Sequence, residues 1–125
     1  MKKLLLILLL ISPQIFAEEY NIHVISAHDG DTFRAKIDLG FDISIETNVR
    51  LAGINAPELS TGKPGKTSTD RLKQLIEGKD AILITNPKRE REKYGRILGT
   101  VMIGTTNVNQ LMITEGLAVK FMEDK

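Results

Sequence analysis

Two carboxylates separated by a glycine, in Asp29-Gly30-Asp31-Thr32, are the first residues of this sequence equipped for chemistry. Asp-Gly by itself is a favoured hairpin turn. A second carboxylate right after the turn is less expected, because it starts a strand with an unpaired charge, and two such groups offer the oxygens a hard cation takes. Arg50 follows, between Val49 and Leu51, and strand alternation sends it to the face opposite theirs. Just downstream, Gly53-Ile54-Asn55-Ala56-Pro57-Glu58 carries an amide oxygen, backbone carbonyls and a carboxylate, with Pro57 holding the spacing. Lys93-Tyr94-Gly95-Arg96 is the last group, with Arg96 opening a strand where its planar fork could grip a phosphate. Each has an ordinary reading as a turn, a surface arginine or a polar loop. Together they meet the needs of phosphodiester hydrolysis: a cation on a non-bridging oxygen, an activated water and positive charge on the transition state. Asp31 and the Asn55 loop would supply the cation site, Glu58 the base or water-orienting group, and Arg50 and Arg96 the clamp.

The elements that must position these residues are legible as patterns. Asn21 to Ala27, Thr32 to Leu39 and Ile43 to Leu51 alternate as strands, separated by Asp29-Gly30-Asp31 and Gly40-Phe41-Asp42. In the third, Ile43, Ile45, Thr47, Val49 and Leu51 share one face. A loop through Pro57, Pro64 and Gly65 precedes a helix capped at Thr67 or Ser68, carrying Leu72, Leu75 and Ile76 and stopped by Gly78. Strands are predicted over Ala81 to Thr85 and Arg96 to Ile103. The run from Lys88 to Lys93 alternates sign through Glu90 and Glu92, as a solvated face does. Asn107 with Gln110 begins a second helix that Gly116 ends. Three strands, a helix, two strands and a helix predict an α+β, mainly β fold: a five-stranded Greek-key barrel of the OB type, with a helix between strands 3 and 4 and a C-terminal helix.

The chain has 125 residues, enough for one domain, and no cysteine, which excludes disulfides, thiol catalysis and zinc–thiolate sites. Lys2-Lys3, the apolar run Leu4 to Ile11, and Ile15-Phe16-Ala17 have the layout of a secretory leader cleaved after Ala17. Residues 1–17 are therefore expected to be a signal peptide and 18–125 the folded domain, exported to the periplasm or the medium. Removal of Lys2 and Lys3 leaves fifteen basic residues against sixteen acidic, a net charge of −1. Nucleic acid would have to be held by a local cationic cleft, not by the overall field.

On "DGDTF" at Asp29 to Phe33, "VRLAGINAPE" at Val49 to Glu58, "EKYGR" at Glu92 to Arg96 and "VNQLMITEGLA" at Val108 to Ala118, the chain resembles the staphylococcal nuclease (thermonuclease) family. The resemblance runs from about Asn21 to about Val119 and implies an OB barrel. It implies a calcium-dependent, sugar-nonspecific endonuclease that cleaves DNA and RNA, prefers single strands and leaves 3′-phosphate ends. It also implies that Asp31 is the principal calcium carboxylate with Asp29 close behind it, Asn55 a side-chain ligand, and Ala56 a backbone-carbonyl ligand. Glu58 matches the general base or water organiser, Arg50 and Arg96 the arginines on the scissile phosphate, and Lys93 and Tyr94 nucleotide contacts. Asn55 stands where the best-known member has aspartate, so a higher calcium requirement is expected. A nucleotide-contacting tyrosine near the C-terminus has no counterpart here. The expected protein is a monomer with DNA and RNA as substrates and no stable membrane association after leader removal. The alternative is a non-catalytic OB-fold module that binds single-stranded nucleic acid or a protein partner. Retention of all four of Asp31, Arg50, Glu58 and Arg96 favours the enzyme, as does an aromatic content of 5%, which is poor for base stacking.

Overall fold

The computed structural model describes residues 17–87 and 90–122. The expected leader, apart from Ala17, lies outside the described residues, as do Lys88 and Arg89 of the charged run. Three long strands come first: β1 (Glu18–Ala27), β2 (Thr32–Gly40) and β3 (Ile43–Leu51). A two-residue strand β4 (Ile54–Asn55) leads to a single 3-10 turn and helix α1 (Lys63–Ile76). Strands β5 (Asp80–Thr85) and β6 (Ile97–Ile103) follow. The short β7 (Thr106–Asn107), helix α2 (Val108–Thr114) and short β8 (Val119–Lys120) complete the order. Among these residues no helix is long and apolar enough to cross a membrane.

The main sheet runs β3-β2-β1-β5-β6, and a parallel pairing of β3 with β6 joins its two ends. That closure makes a five-stranded barrel with the strand order of the OB class, as the sequence patterns predict. Closure removes most free strand edge. It also brings Arg50 of β3 opposite Leu98 of β6, two residues from Arg96. The core is filled by the inward residues of all five long strands, with Phe33, Val49, Leu51, Leu83 and Val101 wholly buried. Leu72 and Ile76 of α1 and Met112 of α2 close it. Each such apolar side chain contributes about 1.5–3 kcal/mol of transfer free energy.

Three local expectations change. Helix α1 begins at Lys63, before Thr67, with Pro64 in its first turn. The first-turn N–H groups of a helix have no partner within it, so proline costs nothing there. Ile43 and Ile45, expected to share a core face with Val49, are exposed, because the β2–β3 hairpin extends past the end of the barrel. The chain also adds β4 paired with β8, a bond between distant segments that no alternation announces. Other signals hold. Asn107 Oδ1 accepts the N–H of Gln110 at the start of α2, while Gly78 and Gly116 take the left-handed conformation that ends a helix.

Candidate active site

The acidic turn joins β1 to β2, and its glycine is required by packing. Gly30 has no positive φ. A Cβ there would lie 2.1 Å from Ser68 Oγ and 2.7 Å from Ala56 Cβ. Helix α1 and the Ala56 loop thus press directly on the turn. Within it, the Asp29 carboxylate accepts the N–H of Asp31 at 3.0 Å, which aims Asp31 inward. Asp31 is buried. Its Oδ2 accepts the Ala56 N–H at 2.9 Å and lies 3.5 Å from Nη2 of Arg50, while Oδ1 accepts the Thr32 hydroxyl at 3.0 Å.

Arg50 is buried too, contrary to a surface reading of strand alternation, because the acidic turn and the Asn55 loop cover that face of β3. Its Nη1 donates to the carbonyls of Leu51 and Ile54, both at 2.9 Å, and Nη2 donates to Asn55 Oδ1 at 3.2 Å. The ring of Phe121 lies 5.6 Å from the guanidinium carbon. Phe121 reaches that place because β8 pairs with β4 and its own N–H donates to the Gly53 carbonyl at 2.9 Å.

Arg96 approaches from the turn before β6. Its Nη1 donates to Thr32 Oγ1 at 3.3 Å, and Nε and Nη2 each lie 3.0 Å from the Glu92 carboxylate. A continuous polar chain therefore runs from Glu92 through Arg96, Thr32, Asp31 and Arg50 to Asn55. Tyr94 is exposed beside it, its ring 5.5 Å from the Arg96 guanidinium and 5.1 Å from Lys93 Nζ. Glu58 stands apart on the exposed loop, its carboxylate accepting from the Ser60 hydroxyl at 3.4 Å. Exposure leaves it free to meet water, as a base or water-orienting group must.

Sequence reasoning missed Thr32, Glu92 and Phe121. Thr32 and Glu92 lie inside the quoted motifs, but the alternating charges from Lys88 to Lys93 give Glu92 the pattern of a solvated run. The structure corrects that reading, since its side chain is only 7% exposed.

Charge tuning follows from this packing. Burial raises the Asp31 pKa above the ordinary carboxylate range, with neighbouring Asp29 adding to the rise; the Ala56 N–H and Arg50 oppose it. Hydrogen bonding to Arg96 lowers that of Glu92. A buried carboxylate with a raised pKa is one that a cation would relieve. Among the described residues no three acidic or histidine side chains cluster as a ready-made metal cage. The oxygens gathered here are the inward Asp31 carboxylate, that of Asp29 beside it and the Asn55 amide oxygen, which faces the same Arg50. These fit a hard cation that completes its shell with water and substrate oxygen, and not a soft metal.

A closed OB-type barrel with one arginine paired to a buried aspartate and a second bonded to the threonine beside it is the class that fold and site define. Residues 48–125 match the family model described as staphylococcal nuclease homologue. The chain is 31% identical over 109 residues to the thermonuclease of Staphylococcus hyicus, covering 82% of this chain and 60% of that one. It is 31% identical over 101 residues to an uncharacterized protein of Bacillus anthracis, covering 77% of this chain and 45% of the other. It is 33% identical over 70 residues to the staphylococcal-like nuclease CAN1 of Arabidopsis thaliana, covering 56% and 20%. The chain belongs to the staphylococcal nuclease family. It spans 60% or less of the length of these curated relatives. The family match begins at Asn48, after the acidic turn, and the fold returns Asp31 to the matched arginine Arg50.

Proposed function

We propose that this chain is an exported, calcium-assisted nuclease that hydrolyses phosphodiester bonds of DNA and RNA, preferring single strands and leaving 3′-phosphate ends. The observation that carries this reading is the tie of Arg50 and Arg96 to opposite sides of the Asp31–Thr32 pair. Calcium held by Asp31, with Asn55, the Ala56 carbonyl and nearby Asp29, would draw charge from a non-bridging phosphate oxygen. Arg50 and Arg96 place fixed positive charge around the phosphorus, where the transition state gathers negative charge. Glu58 orients the attacking water or takes its proton. Lys93 and Tyr94 mark the side on which the nucleotide lies. None of these groups reads a base edge, which suits indifference to base and sugar.

Export follows from the leader pattern at residues 1–17, and a monomer without membrane attachment is the expected mature form. The test is cleavage of single-stranded DNA by purified protein from Glu18 onward, with calcium and with chelator. Cleavage in calcium alone is expected. Equal cleavage in chelator would retire the metal role, and binding without cleavage in either would make the chain a nucleic-acid-binding module.

A further inference from the structure

We propose that Glu92 is a positioning residue that decides which edge of the Arg96 guanidinium is offered to the phosphate. This rests on the nuclease reading above and adds to it a residue that acts through Arg96. The two oxygens of Glu92 divide their work. Oε1 accepts the backbone N–H groups of Tyr94 at 2.9 Å and Arg96 at 3.0 Å, and so folds the turn. It also accepts Arg96 Nε at 3.0 Å. Oε2 accepts Arg96 Nη2 at 3.0 Å.

The side-on edge of Arg96, formed by Nε and Nη2, is thus taken by carboxylate. What faces the site is the end-on edge of Nη1 and Nη2, with Nη1 beside Thr32 and so one residue from Asp31. A guanidinium can hold a phosphate bidentately by either edge, but the two place the phosphorus in different positions. Glu92 removes that choice before substrate arrives. Its side chain is 7% exposed against 28% for Arg96, so the anchor lies deeper than the group it aims. Tyr94 stacked at 5.5 Å further limits rotation of the guanidinium.

Glu92→Gln separates the two tasks. The amide keeps the oxygen that accepts the turn N–H groups and Nε but turns an NH2 against Nη2, so the bidentate hold on Arg96 is broken while the turn remains. The experiment compares kcat and KM on a single-stranded oligodeoxynucleotide with calcium for wild type, E92Q, R96A and the double variant, using excess enzyme where turnover is slow. Thermal melting serves as the folding control.

The expected result is a kcat for E92Q lower by about tenfold or more, with KM changed by less than about threefold. In the R96A background the same change should cost less than about twofold, because there is no longer a guanidinium to aim. Glu92→Asp, which keeps the charge, should recover part of the lost kcat. Wild-type cleavage with E92Q within twofold of it would overturn the proposal, as would an equal loss in the R96A background or an Asp variant no better than Gln. Absence of wild-type cleavage would overturn the nuclease reading and this one with it.

Discussion

The carboxylate of Asp31 accepts a 2.9 Å hydrogen bond from the backbone N–H of Ala56, 25 positions further along the chain. This bond joins the acidic turn to the loop bearing Asn55 and Glu58. It also fixes where the buried charge stands relative to Arg50, whose Nη1 donates to the carbonyl of Ile54 in the same loop. The turn, the loop and the end of β3 therefore behave as one unit, and a change in any of them should be felt at the site.

Burial raises the Asp31 pKa, so function and stability should separate at this position. A carboxylate whose folded pKa is raised stabilises the fold at pH values below its unfolded pKa and loses that contribution as pH rises through the folded value. Asp31→Asn should therefore melt no lower than wild type at neutral pH in chelator, while cleaving at least about a hundredfold more slowly. A large drop in melting temperature would show that the ionised form supports the fold.

The two arginines should differ in what they do for stability. Both Arg50→Ala and Arg96→Ala are expected to lower turnover by roughly a hundred- to a thousandfold. Arg50→Ala also strips donors from the carbonyls of Leu51 and Ile54 and should cost about 1–3 kcal/mol in urea unfolding. Glu58→Gln, at an exposed position, should lose activity with unchanged unfolding. Near-normal rates in these purified variants would show that their roles are misassigned.

Asn55→Asp should lower the calcium concentration needed for half-maximal cleavage, because it restores a negative charge beside Asp31. The amide oxygen it replaces lies 3.2 Å from Arg50 Nη2, so the new carboxylate has a cation at hand even before metal binds. Calcium titration of initial rates is the measurement. An unchanged or higher requirement would remove Asn55 from the ligand set.

Gly30→Ala should destabilise the protein by about 2 kcal/mol, as overpacking does. The added methyl would collide with Ser68 and Ala56, driving α1 and the Asn55 loop away from the turn. Urea unfolding and cleavage rate should fall together. A loss below about 0.5 kcal/mol would mean that α1 yields easily.

Acid stability should depend on Glu92. Its folded pKa lies below the ordinary glutamate value, first because Arg96 hydrogen-bonds to it. Such a group contributes stability above its unfolded pKa and loses it as pH falls through the lower folded one. Melting temperature should thus fall more steeply in wild type than in Glu92→Gln as pH drops below the ordinary glutamate value. Parallel curves would show that the pair contributes nothing to the fold.

The strands, the acidic turn, the Asn107 cap and the glycine stops at Gly78 and Gly116 were legible from the sequence because each is decided by neighbours a few residues away. Alternation, side-chain capping and left-handed backbone are local properties, and so the sequence by itself determined the order of the five long strands and two helices, the OB class and the residue types of the site. Tertiary structure decided which of those residues are buried and what they touch. Arg50 reads as a surface residue until the closing of β3 on β6 and the folding back of the acidic turn cover it. Glu92 reads as one charge in a solvated run until a turn wraps its carboxylate with four N–H donors. Phe121 reaches the Arg50 guanidinium only through the pairing of β8 with β4. In the other direction, Ile43 and Ile45 keep the pattern of a buried strand but emerge into solvent, because burial depends on where the barrel ends and alternation does not record that.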